Sequence, residues 1–479
     1  MAEELIVGGA RRPAVEGATF EVLDPSTGQR HATVAQAGLA DVDAAVAVAA
    51  RAFDDGRGAW PSTNATVRGR VLHRVCDLIR ERAEDLAQAE AVDAGHPIGD
   101  ARWEAEAAAR TFEYYAGAAN KHFGHTIPVQ DGGLDVVLRE PIGPVALIVP
   151  WNFPMLIACW KLAPALACGN PVILKPASLT PMTALLLGDL LVEAGVPAEA
   201  VSVLPGPGAV VGDALVSDQR IAKIAFTGET ATGASILKAS ADHITRVSLE
   251  LGGKSASVVF ADADLDRCVE ETPMSVFANA GQDCCARSRI LVEHAAYDDF
   301  VSAFVARTEK LNVGAPLDEG TEIGPLISAR QRQTSLDYLD IGKAEGARRV
   351  TGGQVPAASS GGFYLSPAVV ADVDNSMRIA REEIFGPVAS VIPFDGEDQA
   401  IRIANDSPYG LSGSIWTGDG GRAIRVAKAL RTGTLSVNSN SSVRVETPFG
   451  GYKRSGLGRE LGMGAMDHYT EVKNVFFRS

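Results

Sequence analysis

Residues 281–286 read GQDCCA, which sets two adjacent cysteines behind the acid Asp283. Cys284 and Cys285 each have four possible fates: nucleophile, metal ligand, disulfide half or core packing. A thiolate is the strongest nucleophile a protein offers near neutral pH. An acid beside it opposes thiolate formation unless its charge is matched. The other cysteines, Cys76, Cys159, Cys168 and Cys268, stand in apolar or helical settings and read as inert core thiols. For metal binding the pattern is poor. There is no Cys-x-x-Cys, and His122 and His125 in KHFGH lack a nearby cysteine. No metal is expected.

The chain that must position these groups has 479 residues, 46% of them hydrophobic, enough for a large core split over two or three domains. Its net charge of −15, without a Lys/Arg-rich run, argues against nucleic acid or anionic membrane as partners and leaves small molecules. The start, MAEELIVGGARRP, does not read as a secretory signal. The apolar stretch from Pro144 to Leu174 is broken by Asn152, Lys161, Asn170 and five prolines, so it reads as buried strands and a core helix rather than a membrane span. A cytoplasmic protein is expected, and there six cysteines do not form a disulfide framework.

Residues 41–118 carry apolar residues at helical spacing. From Gly143 the texture changes: PVALIV, NPVILK, AVSVLP, IAKIAFTG and RVSLEL read as short strands separated by helical segments. A second alternating region runs from near Ser255 to about Ser436, with SASVVF, ARSRILV, ASVIPF, GSIWT and TLSVN as strands. Such alternation implies an α/β fold with parallel sheets covered by helices on both faces.

A parallel sheet binds ligands beyond the carboxyl ends of its strands. IAKIAF runs into Thr227-Gly228, and Gly233 follows five residues later in an expected helix, so a pyrophosphate could approach the backbone there. The spacing is not G-x-G-x-x-G, and on local pattern a tight strand-to-helix turn fits better. Gly206, Gly208 and Gly212 in LPGPGAVVG look similar, but Pro207 favours a plain turn. Lys175, ending PVILK, reaches a crevice rim where a ribose or phosphate would lie, and a solvated strand-end lysine fits that position equally.

Seven stretches occur in order: PWNFP (150–154), KPAS (175–178), FTGETATG (226–233), LELGGK (249–254), FANAGQDC (277–284), EEIFGPV (382–388) and PFGGYKRSGLGRELG (448–462). With them the chain resembles the NAD(P)-dependent aldehyde dehydrogenase superfamily over nearly its whole length. The resemblance implies two Rossmann-like parallel-sheet domains plus a β oligomerisation arm. Residues 1–118 and 142–252 would bind NAD(P), 253–452 would form the catalytic domain, and 119–141 with 453–479 would form the arm and C-terminal segment. A homodimer or homotetramer follows.

The resemblance also implies roles. Cys284 would attack the aldehyde, with Asn152 and the Cys284 N–H as oxyanion donors. Glu250 would activate water for hydrolysis of the thioester, with Lys161 and Glu460 relaying its proton. Lys175 and Ser178 would face the adenosine ribose, Gly228 and Glu229 the pyrophosphate, and Glu383 and Phe385 the nicotinamide ribose and ring. Pro150, Trp151, Gly208, Phe226, Thr227, Leu251 and Gly252 would complete the cofactor cleft. Many NAD-preferring members carry glutamate where this chain has Ser178, so the cofactor is NAD with room for NADP. Phe153, Ile157, Trp160, Asp283, Cys285, Val443 and Phe449 would line the substrate tunnel. GQDC resembles aminoaldehyde-oxidising members, Asp283 then matching a cationic tail, unless Arg287, Arg289 or Arg444 claims it. Two alternatives stand beside this reading: a CoA-acylating semialdehyde dehydrogenase, disfavoured by Glu250, and a cofactor-independent cysteine hydrolase, for which only His294 lies near in sequence.

Overall fold

All ten expected strands form, and the first five build one sheet: Val145–Ile148, Val172–Lys175, Val201–Val203, Lys223–Gly228 and Arg246–Leu251. They pair in parallel, with Val145–Ile148 between Val172–Lys175 and Lys223–Gly228. Strand order therefore reverses beside Val145–Ile148, the switch point where an open parallel sheet leaves a crevice at its carboxyl edge. The uninterrupted apolar runs are explained by burial on both faces. Antiparallel edge strands extend this sheet: Leu5–Val7 and Ala10–Arg12 at one side, Gly456–Leu457 at the other. These pieces of two or three residues carry no periodicity that a sequence could show.

The computed structural model describes residues 2–130, 132–356 and 361–478. Met1, Asp131, residues 357–360 and Ser479, all inside the expected domain ranges, lie outside the described residues. The second sheet holds the other five expected strands, Ala256–Val259, Arg289–Glu293, Val388–Phe394, Gly413–Trp416 and Ser436–Val437. It adds Ala368–Ala371 in parallel and Arg348–Thr351 as an antiparallel edge.

Helices Leu39–Phe53, Ala65–Glu81, Ala83–Ala94 and Ile98–Ala118 account for the alanine-rich region. Their small side chains let Ile98–Ala118 pack Ala105, Ala108 and Ala109 into the same core as Phe112 and Tyr115. Helix Pro154–Ala167 begins with proline, where the missing N–H costs nothing. Among the described residues no helix is long and apolar enough to cross a membrane.

One expectation needs correction. LPGPGAVVG is not a plain turn: Pro207 caps a helical turn, Gly208–Gly212, which continues into Asp213–Ser217. The segment 453–479 divides between two sheets. Gly456–Leu457 closes the first sheet and Ala465, Met466 and Tyr469 enter its core, because the apolar residues before Tyr469 find cover there. Only Thr470–Phe477 pairs with Leu134–Pro141, which also pairs with His125–Ile127. Leu134, Leu138, Val472, Phe476 and Phe477 stay exposed on this three-stranded sheet.

Candidate active site

Strand Arg246–Leu251 ends the parallel run of the first sheet, and only Gly252–Ser255 separates it from Ala256–Val259 of the second. Glu250 and the loop of Cys284 and Cys285 thus meet where the chain crosses between sheets. Buried Arg289 fixes the crossing: its guanidinium donates to the carbonyls of Lys254 at 3.0 Å, Ile403 at 3.1 Å and Ala404 at 3.0 Å.

Before Cys284 the backbone takes three consecutive positive φ values, Asn279 at 50°, Ala280 at 52° and Gly281 at 72°. Asparagine tolerates this region and alanine does not, so the turn is strained. A Cβ on Gly281 would collide with the Gly386 carbonyl. Hydrogen bonds hold the turn. Asn279 Nδ2 donates to the Asn152 carbonyl at 2.7 Å, and Gln282 Nε2 donates to the Asn279 carbonyl at 3.1 Å. The Ile327 N–H donates to Gln282 Oε1 at 2.9 Å. Asn152 Nδ2 in turn donates to the Gln282 carbonyl at 3.0 Å, which brings the amide to the cysteine loop and leaves its second N–H free to donate elsewhere. The Cys284 N–H has no acceptor among the described residues. Cys284 is half-buried, and its thiol is held well above the usual range by its hydrogen bond to Cys285, by burial and by the charge of Asp283. Asn279 and Gln282 carry the loop yet were not singled out from the sequence; the Asn-x-Gly order in ANAG was the available signal.

Glu250 is buried, and burial first, then the charge of Glu460, pushes its carboxyl well above the usual range, with Lys161 and Arg459 opposing. Its Oε2 has no partner among the described residues, and its Oε1 would lie 2.5 Å from a Cβ on Gly450, so only glycine fits there. Lys161, fully buried, pairs with Glu460, whose second oxygen is also free. Lys223 lies behind them, donating to Ser248 Oγ at 2.8 Å, its ammonium lowered to about 7 by burial.

The carboxyl edge of the first sheet fits a dinucleotide. Thr227 Oγ1 is buried without a partner among the described residues, and Gly252 leaves a space that a Cβ would fill against the Glu383 carboxylate. Glu383 accepts the Gly253 N–H at 3.0 Å and is pushed up to about 7 by burial. Phe385 holds a left-handed φ of 57°, its ring edge-on to Trp151 at 5.2 Å. Lys175 donates to the Pro176 carbonyl at 2.9 Å and is lowered to about 8 by burial. Ser178 donates to the Gly206 carbonyl at 2.9 Å, joining its turn to the helix opened by Gly208. Glu229 is exposed at the N-cap of helix Thr230–Ser240, which follows Gly228. Phe226 and Leu251 are buried in the adjoining core, while Pro150 is half-buried at the crevice.

The expected tunnel wall divides. Cys285, Phe449, Trp160 and Val443 gather in one apolar cluster with Cys284, Leu411 and Leu461, the rings of Trp160 and Phe449 5.3 Å apart. Ile157 does not join them: helix Pro154–Ala167 is buried on nearly every side, and Ile157 faces the core of the first sheet. Phe153 packs on that same core, edge-on to His96 at 5.5 Å. Asp283 stays beside the cysteine pair: its Oδ1 accepts the Cys285 N–H at 2.8 Å, a local turn, its carboxylate lies within 4.8 Å of the Cys284 and Cys285 sulfurs, and it also lines a small cavity with Lys254, Glu383 and Phe385. None of the three arginines bonds to it: Arg287 donates to the Cys285 carbonyl and Ser442, Arg289 is committed as above, and Arg444 is exposed. His294 is exposed near Asp395, with no hydrogen bond to Cys284.

The sequence profile of the aldehyde dehydrogenase family matches residues 13–475. A betaine aldehyde dehydrogenase of Bacillus subtilis is 40% identical over 480 residues, covering 99% of this chain and 97% of its own. Human retinal dehydrogenase 2 is 43% identical over 461 residues, 96% of this chain and 88% of its own. The crystal structure of betaine aldehyde dehydrogenase from Staphylococcus aureus in complex with NAD+ superposes with a TM-score of 0.96 at 36% identity, covering 99% of this chain and 94% of that one.

Replacing Gly281 by alanine tests the turn. The added Cβ meets the Gly386 carbonyl at a positive φ, so the loop must shift, and a displacement of about 1 Å costs about a hundredfold in turnover. Gly281→Ala is expected to keep a native circular-dichroism spectrum while aldehyde oxidation falls by that order; unchanged turnover would show that the turn does not aim Cys284.

Proposed function

The chain belongs to the aldehyde dehydrogenase family and is an NAD(P)-dependent aldehyde dehydrogenase, and on that premise we propose that it oxidises an aldehyde to the acid through a thioester on Cys284. The observation that carries this reading is the convergence of Asn152 and the Cys284 loop on one carbonyl, that of Gln282. The Cys284 thiolate adds to the aldehyde carbon, and the resulting oxyanion takes the free Asn152 N–H and the Cys284 N–H. NAD(P)+, when bound, would supply the hydride acceptor that turns this tetrahedral adduct into the thioester. Lys175 and Ser178 would hold its adenosine end, Thr227 and Gly228 its phosphates and Glu383 the nicotinamide ribose. Ser178 brings no charge to repel a 2′-phosphate, so both NAD and NADP are accepted. Glu250 then takes a proton from the water that attacks the thioester, and the Lys161–Glu460 pair receives it.

A carboxyl held above its usual range is an effective base once ionised, so hydrolysis should quicken as pH rises through that raised pKa. Glu250→Gln removes the base. Its steady-state rate should fall about 10²–10⁴-fold while the first-turnover NADH burst survives in rapid mixing. Cys284→Ala should lose both; loss of the burst in Glu250→Gln as complete as in Cys284→Ala would assign Glu250 to thiol activation instead. Added CoA should leave product formation unchanged, which separates hydrolysis from acyl transfer to a thiol.

The apolar cluster of Trp160, Val443, Phe449 and Leu461 supports an aldehyde with a hydrocarbon stem. Relatives named for betaine aldehyde and for retinal stand at 40% and 43% identity, so identity does not choose between cationic and apolar substrates. A cationic tail remains a second reading, supported by the Trp160 and Phe449 rings, while the Asp283 carboxylate beside Cys284 is engaged by the Cys285 N–H. Asp283→Asn should therefore lower kcat/KM for 4-aminobutyraldehyde and butyraldehyde by the same factor, as a loop anchor does. A loss confined to the amine would place Asp283 in the tunnel.

The exposed apolar residues on the three-stranded sheet support a homodimer or homotetramer, because an open, apolar sheet edge invites pairing. Sedimentation velocity at micromolar concentration should show no monomer, and a monomer would remove this proposal.

A further inference from the structure

The stretch LELGGK brings Glu250, Leu251 and Gly252 to the site described, but its lysine, Lys254, has no assigned part in the reaction. Lys254 is 2% exposed, and its Nζ has no hydrogen-bond partner among the described residues. Its main chain is fixed, because its carbonyl accepts from Arg289 Nε at 3.0 Å. Three consecutive residues of this crossing meet Glu383. Gly252 makes room for the carboxylate, since a Cβ there would collide with Oε2. The Gly253 N–H donates to Oε1 at 3.0 Å, and Lys254 lines a small cavity with Glu383 and Asp283.

Among the described residues lining that cavity Lys254 is the one basic side chain, against the two carboxyls of Asp283 and Glu383. Nearby charges are otherwise committed. Arg289 donates to three carbonyls and to Asn375 Oδ1 at 2.9 Å, and Arg287 to the Cys285 carbonyl and Ser442. Glu382 pairs with Arg378 at 3.0 Å and accepts the Tyr338 hydroxyl at 2.6 Å, while Asp283 accepts the Cys285 N–H. Burial pushes the Glu383 carboxyl up to about 7, with the Gly253 N–H and Lys254 opposing and Glu229 and Asp283 adding to the rise. Burial, then Arg289, lowers Lys254 to about 7, with Glu383 and Glu382 opposing. Cys284 and Tyr409 also feel the charge of Glu383, and both are raised, so they stay uncharged near neutral pH. A buried carboxyl without a counter-charge keeps its proton, and a buried amine without one loses it.

We propose that Lys254 is a positioning residue for the cofactor: its ammonium is the counter-charge of the Glu383 carboxylate, which can then accept the ribose hydroxyls beside the nicotinamide. Lys254 acts in this way only if that ribose sits on Glu383, as proposed above. An ionised carboxyl accepts only, whereas the protonated form gives one oxygen over to its own proton and accepts less well. Lys254 works through the charge of its neighbour rather than on substrate. Because Arg289 holds the Lys254 carbonyl, that charge is placed by the same buried guanidinium that fixes the crossing between the sheets.

The test is the Kd of NAD+ for the full-length protein, measured by calorimetry across neutral pH without aldehyde, so that no turnover enters. In unaltered protein NAD+ should bind more tightly as pH rises through about 7, where Glu383 ionises. Lys254→Met removes the counter-charge, and the midpoint should move up by about one pH unit, making binding about tenfold weaker below pH ~7 and nearly equal to the unaltered protein by pH ~9. Lys254→Arg keeps a positive charge and should keep the midpoint. Should Lys254→Met not fold, Lys254→Gln, which also removes the charge, is measured in its place. A defect of the same size at every pH, an unmoved midpoint without the lysine charge, or an arginine variant that behaves like the methionine one would overturn the proposal. Glu383→Gln separates the two readings. It should bind NAD+ more weakly and lose the pH dependence; if it binds as the unaltered protein does, the placing of the ribose on Glu383 falls and the role of Lys254 with it. Weaker binding by Glu383→Gln beside an unmoved midpoint in Lys254→Met removes the role of Lys254 alone.

Discussion

Asn279, Ala280 and Gly281 hold three left-handed backbone conformations in a row, and the turn they make sets where Cys284 stands relative to everything else. Each of the two non-glycine residues costs about 1–3 kcal/mol in that region. Buried hydrogen bonds of Asn279, Gln282 and Asn152 offset the strain, each contributing about 1 kcal/mol net and more if one partner were removed and the other left unsatisfied. Those bonds also run between the two sheets. Asn152 follows a strand of the first, Gln282 precedes a strand of the second, and neither holds its position without the other. Asn152 and Cys284 therefore belong to one rigid unit although 132 residues separate them in sequence.

Around that unit the buried charges are poised rather than fixed. Burial raises the carboxyls of Glu250 and Glu383 and the thiol of Cys284, and lowers the ammonium groups of Lys175, Lys223 and Lys254. Groups whose ionised forms are disfavoured exchange protons at little cost when a charge appears beside them. The Lys161–Glu460 pair is the fixed counterpart, a buried ion pair whose free carboxylate oxygen and nearness to Glu250 suit it to accept a proton. The apolar cluster on the other side of the loop keeps water away from the thiol, which strengthens each of these interactions.

The parts of the fold legible in the sequence were those with a period or a composition. Runs such as PVALIV and NPVILK announce strands buried on both faces, and the alanine-rich helices announce themselves by spacing. Edge strands of two or three residues, Gly456–Leu457 among them, carry no such signal and exist only because a neighbouring strand offers them hydrogen bonds. Cys284, Glu250 and Asn152 stand in ordered motifs, which is how the sequence singles them out. The side chain of Asp283 is engaged by a backbone N–H two residues on, a local preference of aspartate that spacing in the sequence does not show. Ile157 was misplaced because, on a helix buried nearly all round, spacing cannot say which face meets the tunnel.

The central claim is that the acyl group is carried on Cys284 and released by water that Glu250 activates. The most direct test mixes Glu250→Gln protein with NAD+ and an aldehyde, quenches in acid and locates the added mass by fragmenting the peptide that contains both Cys284 and Cys285. The account predicts an acyl adduct on Cys284, absent when NAD+ is omitted. An adduct on Cys285, or no covalent adduct while NADH is formed, would contradict it.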